Sequence, residues 1–146
     1  MKMKKKLAAL ALAGALTITS ASSAFALSGW ADTKATAQPL TLGSSTFQVL
    51  SSGADEDWYS YTNTTGSSIN LVLELYSPSG LNYDYDYTMS FIPGYVFPVG
   101  DLGPGAVDAA AIGSLPAGET VWFRVHGHTP SDYNPAVAYT AWLHTY

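Results

Sequence analysis

The chain has 146 residues, 47% of them hydrophobic and 12% charged, with 11 acidic against 6 basic side chains and no cysteine. That length holds one domain, and the apolar content is too high for a disordered chain. A formal charge of −5 and a pI near 4.8 disfavour phosphate backbones as partners, while the lack of Cys excludes disulfide scaffolds, Cys-based zinc sites and thiol nucleophiles.

Lys2, Lys4, Lys5 and Lys6 precede an apolar run over 7–16, and a more polar stretch then ends in Ala24-Phe25-Ala26. A basic segment, a short apolar segment and an A-x-A site describe a secretory signal peptide over 1–26, cleaved after Ala26. A spanning helix needs about 20 apolar residues, and Thr17, Thr19 and Ser20 interrupt the run too early. After cleavage two fixed positive charges, Lys34 and Arg124, face eleven carboxylates, a formal charge of −9. The expected product is secreted and soluble, with neither nucleic acid nor membrane as partner.

Residues 27–44 read as an N-terminal arm leading into a domain over 45–146. Segments 45–50 and 57–63 are weak strand candidates. Ile69, Leu71, Leu73 and Leu75 then alternate with Asn70, Glu74 and Tyr76, and Val72 is the exception. Tyr85, Tyr87, Met89 and Phe91 alternate with Asp84, Asp86, Thr88 and Ser90, so the tyrosines of 83–87 are expected to face the core. Segments 95–99 and 107–112 are further weak strands, with 106–112 the one stretch arguable as helix. Val121, Phe123 and Val125 alternate with Trp122, Arg124 and His126, and Tyr139, Ala141 and Leu143 with Thr140, Trp142 and His144. Turn signals such as Pro78-Ser79-Gly80, Pro93-Gly94 and Gly103-Pro104-Gly105 separate the runs. Seven or eight strands with one apolar face each predict an all-β, antiparallel, two-sheet sandwich.

Three segments carry a family resemblance: Asp55-Glu56-Asp57-Trp58-Tyr59-Ser60-Tyr61, the stretch LELYSPSGLNYDYDY over 73–87, and LPAGETVWFRV over 115–125 followed by Tyr139-Thr140. In order and spacing they resemble the bacterial pre-peptidase C-terminal domain, an accessory β-sandwich of secreted proteases and collagenases. The resemblance implies a jelly-roll-like sandwich and a non-catalytic role.

Asp55, Glu56 and Asp57 place carboxylates in a tight loop before a strand, the oxygen-rich setting that calcium takes. In calcium-binding collagenase members the N-terminal arm adds ligands beside this loop, and Asp32 sits at the matching place. Asp32, Asp55 and Asp57 are therefore the candidate calcium ligands. The competing reading is a solvated turn whose Asp caps local backbone amides. His126 and His128 suggest a transition metal, with His144 joining if the last two strands pair. Against it, Gly127 is expected to break the strand, and no carboxylate stands at ligand spacing. No Gly-x-Ser-x-Gly elbow or recognisable His–nucleophile order is present, so no enzyme is expected.

Pairing 120–128 with 137–145 as an antiparallel hairpin would set Trp122 opposite Trp142. It would gather Trp122, Arg124, His126, Trp142 and His144 into one exposed ligand-binding surface of the composition found in binding hot spots. The same side chains could instead be cross-strand pairs that only stabilise the sheet, or be covered by the arm around Trp30. The functional expectation is a secreted binding module for an extracellular protein or polysaccharide, stabilised by calcium. The alternative is an accessory protein assisting the folding, export or stability of a separately encoded secreted peptidase.

Overall fold

Among the described residues the period-2 runs become nine strands in two sheets. The computed structural model describes residues 30–146; the signal peptide read over 1–26 lies outside the described residues, as does the start of the arm. After a 3-10 turn at Lys34–Thr36 come β1 (Gln38–Pro39), β2 (Ser45–Gln48), β3 (Glu56–Thr62), β4 (Ile69–Tyr76) and β5 (Tyr83–Met89). They are followed by β6 (Ile92–Pro98), β7 (Val107–Leu115), β8 (Thr120–Gly127) and β9 (Tyr139–Thr145). One sheet has the order β1-β3-β8-β5-β6 and the other β2-β9-β4-β7. All pairings are antiparallel except that of β1 with β3. The described part of the arm thus contributes β1, an edge strand of the first sheet.

Alternation decides which side chains meet between the sheets. Tyr59, Tyr61, Tyr83, Tyr85, Val121, Phe123 and Val125 come from the first sheet and are buried. Leu71, Leu73, Leu75, Leu115, Tyr139, Ala141 and Leu143 face them from the second. Each large apolar side chain buried in this way contributes about 1.5–3 kcal/mol. A buried phenol also needs a polar partner. Tyr85 donates to the Leu73 carbonyl across the sheets at 2.7 Å, and the Tyr59 and Tyr139 hydroxyls meet at 2.5 Å.

One open alternative is closed in favour of the expected strand at 107–112, and two expectations are corrected. The stretch arguable as helix, 106–112, lies in β7 and the turn before it, paired with β4; Leu71 opposes Gly113 and Val72 opposes Ala111, leaving Ile112 as the extra residue of a bulge. Gly113 takes a φ of +66° there, which favours glycine. Phe91 leaves the core because the strand parity stops at Met89; it is 40% exposed in the β5–β6 turn.

The second correction concerns β8 and β9, which do not form a hairpin. β8 lies between β3 and β5, so Trp122 opposes Ser60 and Thr88; β9 lies between β2 and β4, so Trp142 opposes Ser45 and Glu74. Residues 128–138 cross from one sheet to the other, so the apolar rows of β8 and β9 enter the core from opposite sheets.

Candidate functional site

β8 is the central strand of the five-stranded sheet, and its even-numbered residues Trp122, Arg124 and His126 face outward, all half-buried. The neighbouring strands add Glu56 and Trp58 from β3 and Asp84, Asp86 and Thr88 from β5. In register, Arg124 stands between Trp58 and Asp86. Its Nε donates to Asp86 Oδ2 at 3.1 Å, its Nη2 donates to the same oxygen, and its Nη1 donates to Glu56 Oε1 at 3.1 Å. The guanidinium also lies 5.8 Å from the centre of the Trp58 ring. The Lys34 ammonium is 4.0 Å from the Trp122 ring centre and donates to Thr88 Oγ1 at 3.1 Å. Both Lys and Arg side chains of the described residues therefore occupy one face, each beside a tryptophan.

Trp142 and His144 lie on the outer face of the other sheet. Their rings stack at 4.1 Å, and His144 Nε2 is 3.4 Å from Glu74 Oε1, which also holds the Tyr76 hydroxyl through its carboxylate. The five residues expected to form one surface are thus divided between opposite sides of the sandwich. Trp30 packs edge-on against Tyr59, 6.1 Å between ring centres; it is Lys34, rather than Trp30, that covers Trp122.

The acidic loop also divides. Asp55 Oδ2 accepts the Ser51 amide at 2.6 Å, and Asp55 lines a cleft with Asp32, Ser51, Ser52, Ala54 and Glu56. Asp57 shares the parity of Tyr59 and Tyr61 and turns inward. It is 3% exposed and accepts the Tyr139 hydroxyl at 2.5 Å. Burial pushes its carboxyl up to about 7, outweighing the Tyr139 hydrogen bond, and repulsion from Asp55 and Asp32 acts in the same direction. Of the three expected calcium ligands, Asp32 and Asp55 share the cleft and Asp57 belongs to the interior.

Sequence reasoning missed a cluster at the end of β8. Gly127 does not break the strand; it is the last residue of β8 and pairs with Tyr83. The chain then turns sharply, and a Cβ on Gly127 would lie 2.4 Å from the Asp132 carbonyl oxygen. Gly53 shows the same constraint, 1.8 Å from the Pro130 oxygen, so the 51–55 loop packs backbone to backbone on the 128–132 loop. This turn carries His128 to carboxylates distant in sequence: its Nδ1 is 2.9 Å from Asp84 Oδ2 and 3.2 Å from Asp101 Oδ2. The only advance signal was the outward parity of Asp84 on its strand.

No family model matches the sequence, and no curated protein matches it. Among solved structures the chain is similar to the pre-peptidase C-terminal domain of collagenase from Bacillus anthracis, with a TM-score of 0.58 and 14% identity. The match covers 73% of this chain and 93% of that one. The chain has the β-sandwich fold of a collagenase pre-peptidase C-terminal domain.

Proposed function

We propose that the chain is a non-catalytic binding module that works outside the cell and recognises an extracellular protein or polysaccharide. The surface it uses is the outer face of the five-stranded sheet. One observation carries this reading: Trp58 and Trp122 flank Arg124 on the central strands of that face, with both Lys and Arg side chains of the otherwise acidic described residues beside them. Half-buried tryptophan and arginine supply contact area and hydrogen bonds at low entropic cost. The likeness to a collagenase domain supports a protein partner among these classes. Trp142 and His144, on the far side, are not part of the surface.

The test is capture of the purified protein on immobilised collagen, peptidoglycan and polysaccharides. Trp58→Ala and Trp122→Ala are expected to weaken capture about 30-fold each, the loss of a 2 kcal/mol hot spot. Trp142→Ala is expected to leave it unchanged. Equal capture by all three variants, with unchanged circular dichroism, would overturn the choice of face.

We also propose calcium as a stabilising ion, held by Asp32 and Asp55 at the cleft they share. Ser51, Ser52, Ala54 and Glu56 line that cleft beside the two aspartates, oxygen-bearing residues of the kind that a hard cation takes. Calcium added to chelator-treated protein is expected to raise the melting temperature by several degrees, and Asp55→Asn to abolish the rise. An unchanged melting curve, with no calcium in the purified protein, removes calcium from the function.

A further inference from the structure

We propose that Asp84, Asp101 and His128, with Asn82 as a fourth donor, form a binding site for a divalent transition-metal ion of the zinc type. The three side chains come from β5, from the loop after β6 and from the crossover after β8. One ligand atom from each lies within 4.8 Å of the others. Zinc binds nitrogen and oxygen at about 2.0–2.1 Å, so two ligands of one tetrahedral ion stand roughly 3.3 Å apart. The separations from His128 Nδ1 to the two carboxylate oxygens, 2.9 and 3.2 Å, are close to that edge length.

A second observation points to a ligand. Asn82 is 6% exposed, and its amide end reaches into the cluster, Nδ2 standing 3.1 Å from Asp101 Oδ2. Asn82 Oδ1 is buried and has no hydrogen-bond partner among the described residues, and the same is true of Asp84 Oδ1. An ion pair between a protonated His128 and the two carboxylates satisfies one N–H and leaves both orphaned oxygens, each a cost of about 1–3 kcal/mol. A cation held by both oxygens of the Asp84 carboxylate satisfies Asp84 Oδ1, and a half-turn of the Asn82 amide, which exchanges its oxygen and nitrogen, lets Oδ1 replace Nδ2 as the atom beside Asp101.

The surroundings hold these donors in place. The His128 amide donates to the Asn82 carbonyl at 2.9 Å, and the Asn82 amide donates to Asp132 Oδ1 at 3.2 Å. Asp101 Oδ1 accepts the Gly103 amide at 2.6 Å, and the Gly105 amide donates to the Leu81 carbonyl at 2.9 Å. Supporting bonds of this kind orient metal ligands. An imidazole nitrogen with two carboxylates favours zinc over calcium or magnesium, which take oxygen ligands in larger numbers. The ion ties three separate segments together in a chain that has no disulfide.

The test uses purified protein stripped with chelator and titrated with Zn2+ by calorimetry. One ion per chain is expected, with a rise in melting temperature on saturation. His128→Ala and Asp84→Asn are expected to weaken binding about 100-fold or more, since loss of an outer partner alone costs 10–100-fold. His144→Ala, on the far sheet, is expected to bind zinc normally. In nitrogen-15 spectra of the unmutated protein zinc should shift Nδ1 of His128, and Co2+ should give the visible bands of a tetrahedral site. Absence of zinc binding, binding unaltered by His128→Ala, or an unmoved His128 Nδ1 each overturns the site. Should His128→Ala fail to fold, the spectra and Asp101→Asn decide the matter, and none of these readouts depends on capture of a polymer or on calcium.

Discussion

Asp57→Asn is expected to stabilise the protein at pH 8 by up to about 4 kcal/mol and to leave its stability nearly unchanged at pH 4. The carboxyl of Asp57 is buried between the sheets, and its folded-state value of about 7 stands well above the ordinary 3.8. Between those values the folded chain binds more protons than the unfolded one. Stability from this group is therefore present below about pH 4 and declines by about 1.4 kcal/mol per pH unit until the folded-state group has ionised, near pH 7. Above that the deficit is constant. The neutral carboxyl keeps its role towards Tyr139, because its carbonyl oxygen still accepts the phenol, and an asparagine carbonyl does the same. Denaturant unfolding of both proteins between pH 4 and 8, in chelator, checks this. The curves should converge at acid pH and separate at alkaline pH; parallel curves would show that Asp57 keeps one protonation state throughout.

Asp57 also shows how much of the molecule was legible in its sequence. Period-2 alternation located the strands because each buries one face: Leu71, Leu73 and Leu75, like Val121, Phe123 and Val125, are buried as expected, while Ile69 is half-buried. The same alternation places Asp57 inside with Tyr59 and Tyr61, but the local motif of three acidic residues suggested a loop. Pairing was harder to read. Nothing local distinguishes a hairpin loop from a crossover between sheets, and residues 128–138 are a crossover, which sends Trp142 and His144 to the far face. The Asp84–Asp101–His128 cluster was hidden for a related reason: its members are joined by register and by glycine-permitted loop packing, neither of which has a spacing signature. Trp58 has no local signal beyond the family motif that contains it, and its place beside Arg124 follows from the β3–β8 register.

Arg124→Ala is expected to cost about 2–3 kcal/mol, most of it through Asp86. Asp86 is 8% exposed and receives two N–H donors from the guanidinium, at Nε and Nη2, on a single oxygen. Removing them strands a largely buried carboxylate, with the His126 Nε2 nitrogen 3.9 Å away. The bond to Glu56 matters less, because the Glu56 side chain is 37% exposed; Glu56→Gln is expected to cost under about 1 kcal/mol. The double variant Arg124→Ala, Asp86→Ala should lose less than the two single variants together, since it removes the stranded charge along with its partner. Arg124→Lys separates charge from geometry. Lysine keeps the positive charge but cannot place parallel donors on Asp86 while reaching Glu56, and it loses the planar contact with Trp58. If geometry is what the face requires, the lysine variant falls near the alanine variant in stability and in capture of the polymer. If charge alone suffices, it remains near the parent protein, and Arg124 then acts on the ligand by long-range attraction rather than as a fixed donor between two tryptophans.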